Sequence, residues 1–297
     1  MRRNSIVAGL LTAIFFIACV AAPVAAREIE GAIPDTSRVV SIGDSITEIV
    51  FALGEEKRLV GRDSTSTYPA AANALPDVGY MRALSPEGVL SINPTAIIAV
   101  EGSGPREAVD VLRKASVPFV FVPEKYTAES LVEKIRIVGR ALGVDEKAEQ
   151  LARRTEAELE EAQADAKKVT TPKRVLFVLS SKGGKIMGAG SGTAADGILK
   201  LAGAQNAVTG FSGYKPLNDE SIIMANPDVI LAMDRSGGDH KADNAELLAN
   251  KALAATPAGR DKRIVRLGGQ YMLGFGPRTA NAVRDLYNAF YKSQPGQ

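Results

Sequence analysis

The sequence predicts an α/β protein of two lobes joined by a single long α-helix. Three observations carry this reading. Two separate series of buried strands and helices occupy the two halves, a stretch free of glycine and proline lies between them, and a segment of the first half recurs in the second.

The chain opens on an export signal. Met1-Arg2-Arg3 is a basic start, Ile6 to Val20 is nearly all apolar, and Val24-Ala25-Ala26 supplies the small residues of a cleavage site. Residues 1–26 are therefore expected to be removed after Ala26, leaving a periplasmic protein. The apolar run is short for a span of ~20 residues, so no stable membrane insertion is expected after cleavage. Cys19, the only cysteine, lies inside this segment, and Phe16-Ile17-Ala18-Cys19 is a poor match to a lipoprotein box.

The N-terminal lobe is expected over 27–143. Arg38–Ile42 reads as a strand, Gly43-Asp44 as a turn, and Ser45 as the cap of a helix over Thr47–Leu53. Ala96–Val100 and Val117–Val122 are short apolar runs suited to strands covered on both faces, with helical spacing over Pro105–Ala115 between them. The connecting helix is placed at 144–170. Asp145 to Lys168 holds no Gly or Pro and is dominated by strong helix formers. It would run roughly 36 Å at 1.5 Å per residue. Leu151 and Leu159 are its main apolar contacts, and Thr170-Thr171-Pro172 stops it. The C-terminal lobe, 171–297, begins with a strand over Arg174–Leu179. Gly190-Ser-Gly192-Thr-Ala-Ala195 is a partial dinucleotide fingerprint, read more simply as a glycine-rich turn before a helix over Ala194–Leu201.

The repeat joins the two lobes. Leu84, Glu87, Asn93, Pro94, Ile97 and Ala99 recur 133 residues later as Leu217, Glu220, Asn226, Pro227, Ile230 and Ala232. Each copy reads as a helix, an Asn-Pro stop and a buried strand. Two similar lobes with a cleft between them suit a ligand clamp.

Composition removes several classes. With 45% hydrophobic and 24% charged residues the chain is globular. Basic and acidic side chains number 36 and 34, with no excess to suggest a nucleic-acid partner. One cysteine and one histidine exclude a disulfide framework and disfavour zinc, which wants about four ligands.

Beyond these features the mature chain resembles the substrate-binding proteins of ABC importers for haem, siderophores and cobalamin, and among them the periplasmic haem-binding proteins. The carrying segments are Arg38–Val50, Leu59–Pro69, Leu75–Gly88, Gly192–Leu199 and Met272–Arg278; Leu75-Pro-x-x-Gly79-Tyr80-x-Arg82-x-Leu84-Ser85-x-Glu87-Gly88 is the most specific. The resemblance implies two Rossmann-like lobes on one long helix, the class III periplasmic binding protein fold, which moves little on binding.

It also implies a site. Tyr80, of the Gly-Tyr-x-Arg motif, would ligate the iron of one ferric haem b. A phenolate is a hard anionic ligand known for haem. Free tyrosine titrates near pH ~10, so a neighbouring guanidinium must favour the phenolate. Arg82 is the first candidate and Arg235 the second; Arg278 could serve the propionates. By its spacing alone, Tyr80 reads first as a half-buried aromatic packing a loop after Pro76. Tyr68, before Pro69, is the rival ligand. Some haem binders add a C-lobe histidine and stack two haems. Here Ser180-Ser181 follows the corresponding strand and His240 reads as a solvated loop residue, so a single haem is expected. Glu87 and Glu220 would meet a dimeric ABC permease of the inner membrane, although each also favours its own helix N-terminus. An outer-membrane haem receptor system is implied upstream. The protein is expected to be a monomer without catalytic activity.

Two rivals stand beside this reading. A ferric siderophore or cobalamin would use the same fold. Val40-Ser-Ile-Gly43-Asp44-Ser45-Ile-Thr is similar to the nucleophile motif of GDSL-type esterases, with Ser45 as nucleophile. That family places an aspartate three residues before its histidine, where Gly237 stands before His240.

Overall fold

Two sheets face each other across a cleft. The computed structural model of the chain describes residues 32–234 and 240–292, so the export segment with Cys19, and Arg235, lie outside the described residues. The first sheet is formed by β1 (Val39–Ile42), β2 (Leu59–Arg62), β3 (Ala96–Val100) and β4 (Phe119–Val122), all parallel, in the order β2-β1-β3-β4. Helices α1 (Asp44–Ala52), α2 (Pro86–Leu90), α3 (Arg106–Lys114) and α4 (Ala128–Leu142) connect and cover them. Every residue of β1 and β3 is buried, as their unbroken apolar character requires of central strands.

Helix α5 (Asp145–Gln163) packs on α4 and on the C-terminal helix α12 (Thr279–Tyr291). Its buried residues, Ala148, Leu151, Ala152, Thr155, Leu159 and Ala162, form the expected narrow stripe. It ends five residues short of the Lys168 read from the sequence. A single turn, Ala166–Lys168, follows, because buried Ala166 packs under Gly203 and Asp165 pairs with Lys168 at 3.2 Å and Lys292 at 3.7 Å. Tertiary contact overrides a run of good helix formers.

The second sheet contains β5 (Arg174–Ser180), β6 (Ile186–Ala189), β7 (Gln205–Asn206), β8 (Tyr214–Leu217), β9 (Val229–Asp234) and β10 (Ile264–Gly268), in the order β10-β9-β5-β6-β8 with β7 paired to β5. It is mixed, since β6 runs antiparallel to both β5 and β8. Helices α6 (Ala194–Leu201), α7 (Asp219–Ala225), α8 (His240–Leu248), α9 (Lys251–Ala255), α10 (Pro257–Arg260) and α11 (Gly269–Leu273) complete the lobe. His240 thus opens a helix rather than sitting in a loop. Along β5, Val175 and Phe177 join the main core while Leu176 and Val178 join a second cluster with Ile222, Ile230 and Leu253. The main core is continuous between the lobes, running from Ile46, Leu131 and Ile135 to Ala194, Ile198, Phe275 and Leu286.

The internal repeat is visible in the backbone. Ser85 and Asn218 cap α2 and α7, accepting from Gly88 N at 3.3 Å and Ser221 N at 2.8 Å. Asn93 and Asn226 both adopt left-handed backbone angles, φ 48° and 42°, before the two prolines. Asparagine tolerates that region better than most side chains, which explains its recurrence.

Ser45 is not the helix cap. Helix α1 begins one residue earlier, with Gly43 at its N-cap and no side-chain cap of its own. Asp63, at the end of β2, supplies the missing acceptor, taking the Gly43 N–H at 2.9 Å. Gly43 itself has φ 104°, and a Cβ there would lie 2.5 Å from Val100 Cγ1. Only glycine lets the chain turn against β3.

Candidate functional site

The carboxyl ends of the strands in both lobes open onto one cleft of about 910 Å³. This volume lies at the upper end of the range for small-molecule sites. Tyr68, Tyr80, Tyr126, Tyr214 and Tyr271 all line it, five of the chain's seven tyrosines. A sequence poor in aromatics has gathered most of its tyrosines in one place.

The Tyr80 loop is held by backbone bonds. Gly79 takes φ 99°, its N–H donates to Asp77 Oδ1 at 2.8 Å, and its carbonyl accepts from Ser64 N at 2.9 Å. Met81 is buried, and its carbonyl accepts from Gly104 N at 2.8 Å. Tyr80 and Arg82, either side of that anchor, are exposed. Tyr80 keeps 43% of its surface, and Arg82 Nη1 donates to its hydroxyl at 3.1 Å. The positive charge therefore sits against the phenol oxygen.

Tyr68 meets its arginine differently. The Arg278 guanidinium lies 3.3 Å from the centre of the Tyr68 ring, stacked on the face rather than bonded to the oxygen. Arg278 is also tied to Glu48 of α1, with Nε and Nη2 donating to Oε2 at 3.1 and 2.9 Å and the backbone N–H to Oε1 at 3.0 Å. The three other cleft tyrosines move away from phenolate. Burial raises Tyr126 and Tyr214, and burial plus the hydrogen bond Tyr271 donates to Asp285 at 2.8 Å raises Tyr271 well above the ordinary range. Geometry thus separates Tyr80 from the rest.

The floor of the cleft was not legible beforehand. Lys134, on α4, is fully buried and donates to Ser45 Oγ at 3.1 Å, to Phe275 O at 3.1 Å and to Glu124 Oε2. All three ammonium protons are placed. Ser45, 1% exposed, accepts a hydrogen bond from this lysine, whereas a nucleophile activated by a base donates one to that base. Glu124 Oε1 is buried with no protein partner, as is Gln270 Nε2, whose oxygen accepts from Thr67 Oγ1 at 2.7 Å across the cleft. Burial pushes Glu124 up and Asp44 up to about 7. The available signal was a lysine on the apolar face of α4, three residues after Leu131 and one before Ile135.

Glu87 and Glu220 are exposed, each the second residue of its helix. Each shortly follows a cleft-lining residue, Arg82 and Tyr214 respectively. Among the described residues no helix is long and apolar enough to cross a membrane, and no group of three or more His, Cys, Asp or Glu could hold a bare metal ion.

Comparison with known proteins agrees with this architecture. The periplasmic heme-binding protein RhuT from Roseiflexus sp. RS-1 is 41% identical, with TM-score 0.80, covering 87% of this chain and 99% of that one. The periplasmic heme-binding protein BhuT, solved in complex with two hemes, is 40% identical, with TM-score 0.79, covering 85% and 97%. An uncharacterized ABC transporter substrate-binding lipoprotein of Bacillus subtilis, YvrC, is 26% identical over 260 residues, 86% of this chain and 81% of that protein. Vitamin B12-binding proteins are also among the relatives, at 22% to 31% identity. The family model described as periplasmic binding protein matches residues 39–271. With two α/β lobes, a connecting helix and a tyrosine-lined cleft between them, the chain belongs to the periplasmic binding protein family.

Proposed function

We propose that this protein captures one ferric haem b in the cleft and delivers it to an ABC permease dimer of the inner membrane. The observation that carries the reading is the Arg82–Tyr80 hydrogen bond at 3.1 Å on an exposed phenol facing the cleft. Tyr80 would bind the iron as phenolate, with Arg82 supporting its charge. Arg278 has two donors on Glu48, and its Nη1, without a hydrogen-bond partner among the described residues, is kept for a propionate. Glu87 and Glu220, displayed alike on the two lobes, would meet basic residues of the permease and set orientation and on-rate more than affinity. The protein would act in the periplasm, as a monomer, and catalyse nothing.

The test is an absorption titration with hemin of the chain from Arg27, beside Tyr80→Phe and Tyr68→Phe. The expected result is a saturable 1:1 spectrum of high-spin ferric haem with phenolate, lost only in Tyr80→Phe. Loss only in Tyr68→Phe moves the ligand and keeps the function. A 2:1 end point replaces the single haem with a stacked pair. No saturable spectrum in the wild type overturns the haem reading.

A corrinoid is the second reading. Ser64, Thr65, Thr67 and Gln270 line the cleft with groups suited to a ligand edged by amides, and Glu124 Oε1 is an open acceptor for an amide N–H. Saturable binding of cobalamin but not hemin would favour it.

A further inference from the structure

The cleft floor is short of positive charge. Asp44 and Glu124 line the cleft, and Asp63 lies just beneath it, while Lys134 is the cation among them. Asp63 is fully buried and its two oxygens accept from Gly43 N, Ser66 Oγ, Thr65 N and Thr65 Oγ1 at 2.6 to 3.0 Å. The three protons of Lys134 go to Ser45, Glu124 and Phe275. No side-chain donor contacts the Asp44 carboxyl among the described residues; it accepts the Ser45 backbone N–H at 2.9 Å. On its far side the other lobe closes over it, since a Cβ on Gly274 would stand 2.9 Å from Asp44 Oδ2.

We propose that Asp44 is the residue that fits the charge of the cleft to its ligand, taking up a proton as an anionic ligand enters. The inference rests on the haem reading only in supplying that anion, a planar molecule with two carboxylates. Of the carboxyls facing Asp44, Glu124 is the rival, with an open Oε1, but it is paired to Lys134 as Asp44 is not. On its own helix Glu48 is held by Arg278; from β2 comes Asp63, with four donors; from α4, Lys134, fully engaged; after β4, Glu124 on Lys134, and Tyr126, raised by burial; after β3, Glu101, which is exposed. From the other lobe, the Gly274 backbone faces it, Arg278 is held by Glu48, and Tyr214 is raised by burial. Desolvation, with Asp63 next, already lifts Asp44 to about 7. A second negative charge nearby raises it further.

The consequence is a pH-dependent term that opposes ligation through tyrosine. Phenolate formation releases a proton and favours binding as pH rises; Asp44 uptake disfavours it. With an acid near pH 7 that must be protonated for tight binding, affinity falls about tenfold between pH 6 and pH 8. Asp44→Asn keeps the acceptor for the Ser45 N–H and removes this term alone.

Hemin affinity of wild type and Asp44→Asn, measured at pH 6, 7 and 8, isolates it. The ratio of wild-type to variant affinity is expected to fall about tenfold across that range. Net proton release, read by calorimetry in two buffers of different ionisation enthalpy, is expected to be smaller in the wild type than in the variant, because Asp44 takes up part of what the phenol gives off. The wild type with hemin dimethyl ester, whose carboxylates are masked, gives a test independent of variant folding: net proton release should rise to that of the variant with hemin. A constant affinity ratio, or equal net proton release with hemin and its ester, overturns the proposal while leaving haem binding intact. Failure of the wild type to bind hemin at any pH overturns the haem reading first and this inference with it.

Discussion

Arg278 and Glu48 are bonded through three hydrogen bonds across the two lobes, two from the guanidinium and one from the backbone N–H. Glu48 is almost completely buried, so the pair is shielded from water. Removing one partner strands the other charge. Glu48→Ala is expected to lower unfolding free energy by about 3 kcal/mol, read from the midpoint in urea at constant m-value. An unchanged midpoint would show that the pair contributes nothing net.

Lys134 and Glu124 form the second buried pair, with Phe275 O attached to the same ammonium. Phe275 holds φ 49°, its ring edge-on to Tyr126 at a centroid distance of 5.3 Å. Lys134→Met leaves a carboxylate and a carbonyl buried without a donor, for an expected loss of about 3–5 kcal/mol. Lys134→Met with Glu124→Leu should recover part of it, because the stranded charge goes too. A double-mutant cycle measures the coupling; simple additivity of the two changes would contradict the pairing seen here.

Asp44 should also mark the stability of the ligand-free protein. Its carboxyl titrates near 3.8 as a free side chain and about 7 in the fold. Below pH 4 both states hold the proton and the residue contributes nothing. Between about 4 and 7 the folded state alone retains it, so stability falls as pH rises, and the full penalty, on the order of 4 kcal/mol, is present above 7. Asp44→Asn should therefore melt higher than wild type at pH 8 and equally at pH 4. Equal melting at both would place the acid in the ordinary range.

Gly197, in α6, touches the N-terminal lobe where no side chain fits. A Cβ there would lie 2.4 Å from Tyr126 O and 2.6 Å from Tyr126 Cβ. Gly197→Ala must push the lobes apart or bend α6, at about 1–3 kcal/mol. The expected result is a lower melting temperature together with weaker hemin binding. Wild-type behaviour in both would show that the two lobes part freely.

Arg82→Leu removes the hydrogen bond to Tyr80 without touching its ring. A bond to a charged group contributes about 1.5–3 kcal/mol, so hemin affinity should drop roughly ten- to hundredfold. Arg82→Lys should restore much of the charge and little of the geometry. An Arg82→Leu protein with wild-type affinity and spectrum would separate Arg82 from the ligand.

Much of the fold was legible because it rests on local rules. The apolar runs of β3 and β5, the helical spacing of α3, the glycine-rich turn before α6 and the buried stripe of α5 follow from the order of residues along the chain. The repeated Asn-Pro stop was legible too, because a left-handed residue before proline restricts which side chains serve. Where reading failed, a distant group had taken over a local role. Asp63 caps α1 in place of Ser45, and Ala166 under Gly203 ends the connecting helix early. The same holds for the site. Tyr80 and Arg82 stand two residues apart and could be paired on paper. The grip of Glu48 on Arg278 joins residues 230 positions apart.

The sequence by itself determined two α/β lobes and the helix between them, because strand burial and helix propensity are properties of short segments; the tyrosine and arginine of the Gly-Tyr-x-Arg motif were singled out by family resemblance. Tertiary structure alone decided the floor. Whether Lys134 is a surface charge or a buried bolt, and whether Asp44 keeps its proton near neutrality, depends on how many donors, acceptors and like charges the folded chain packs around each. That count is a sum over several elements, and no local stretch of sequence contains it.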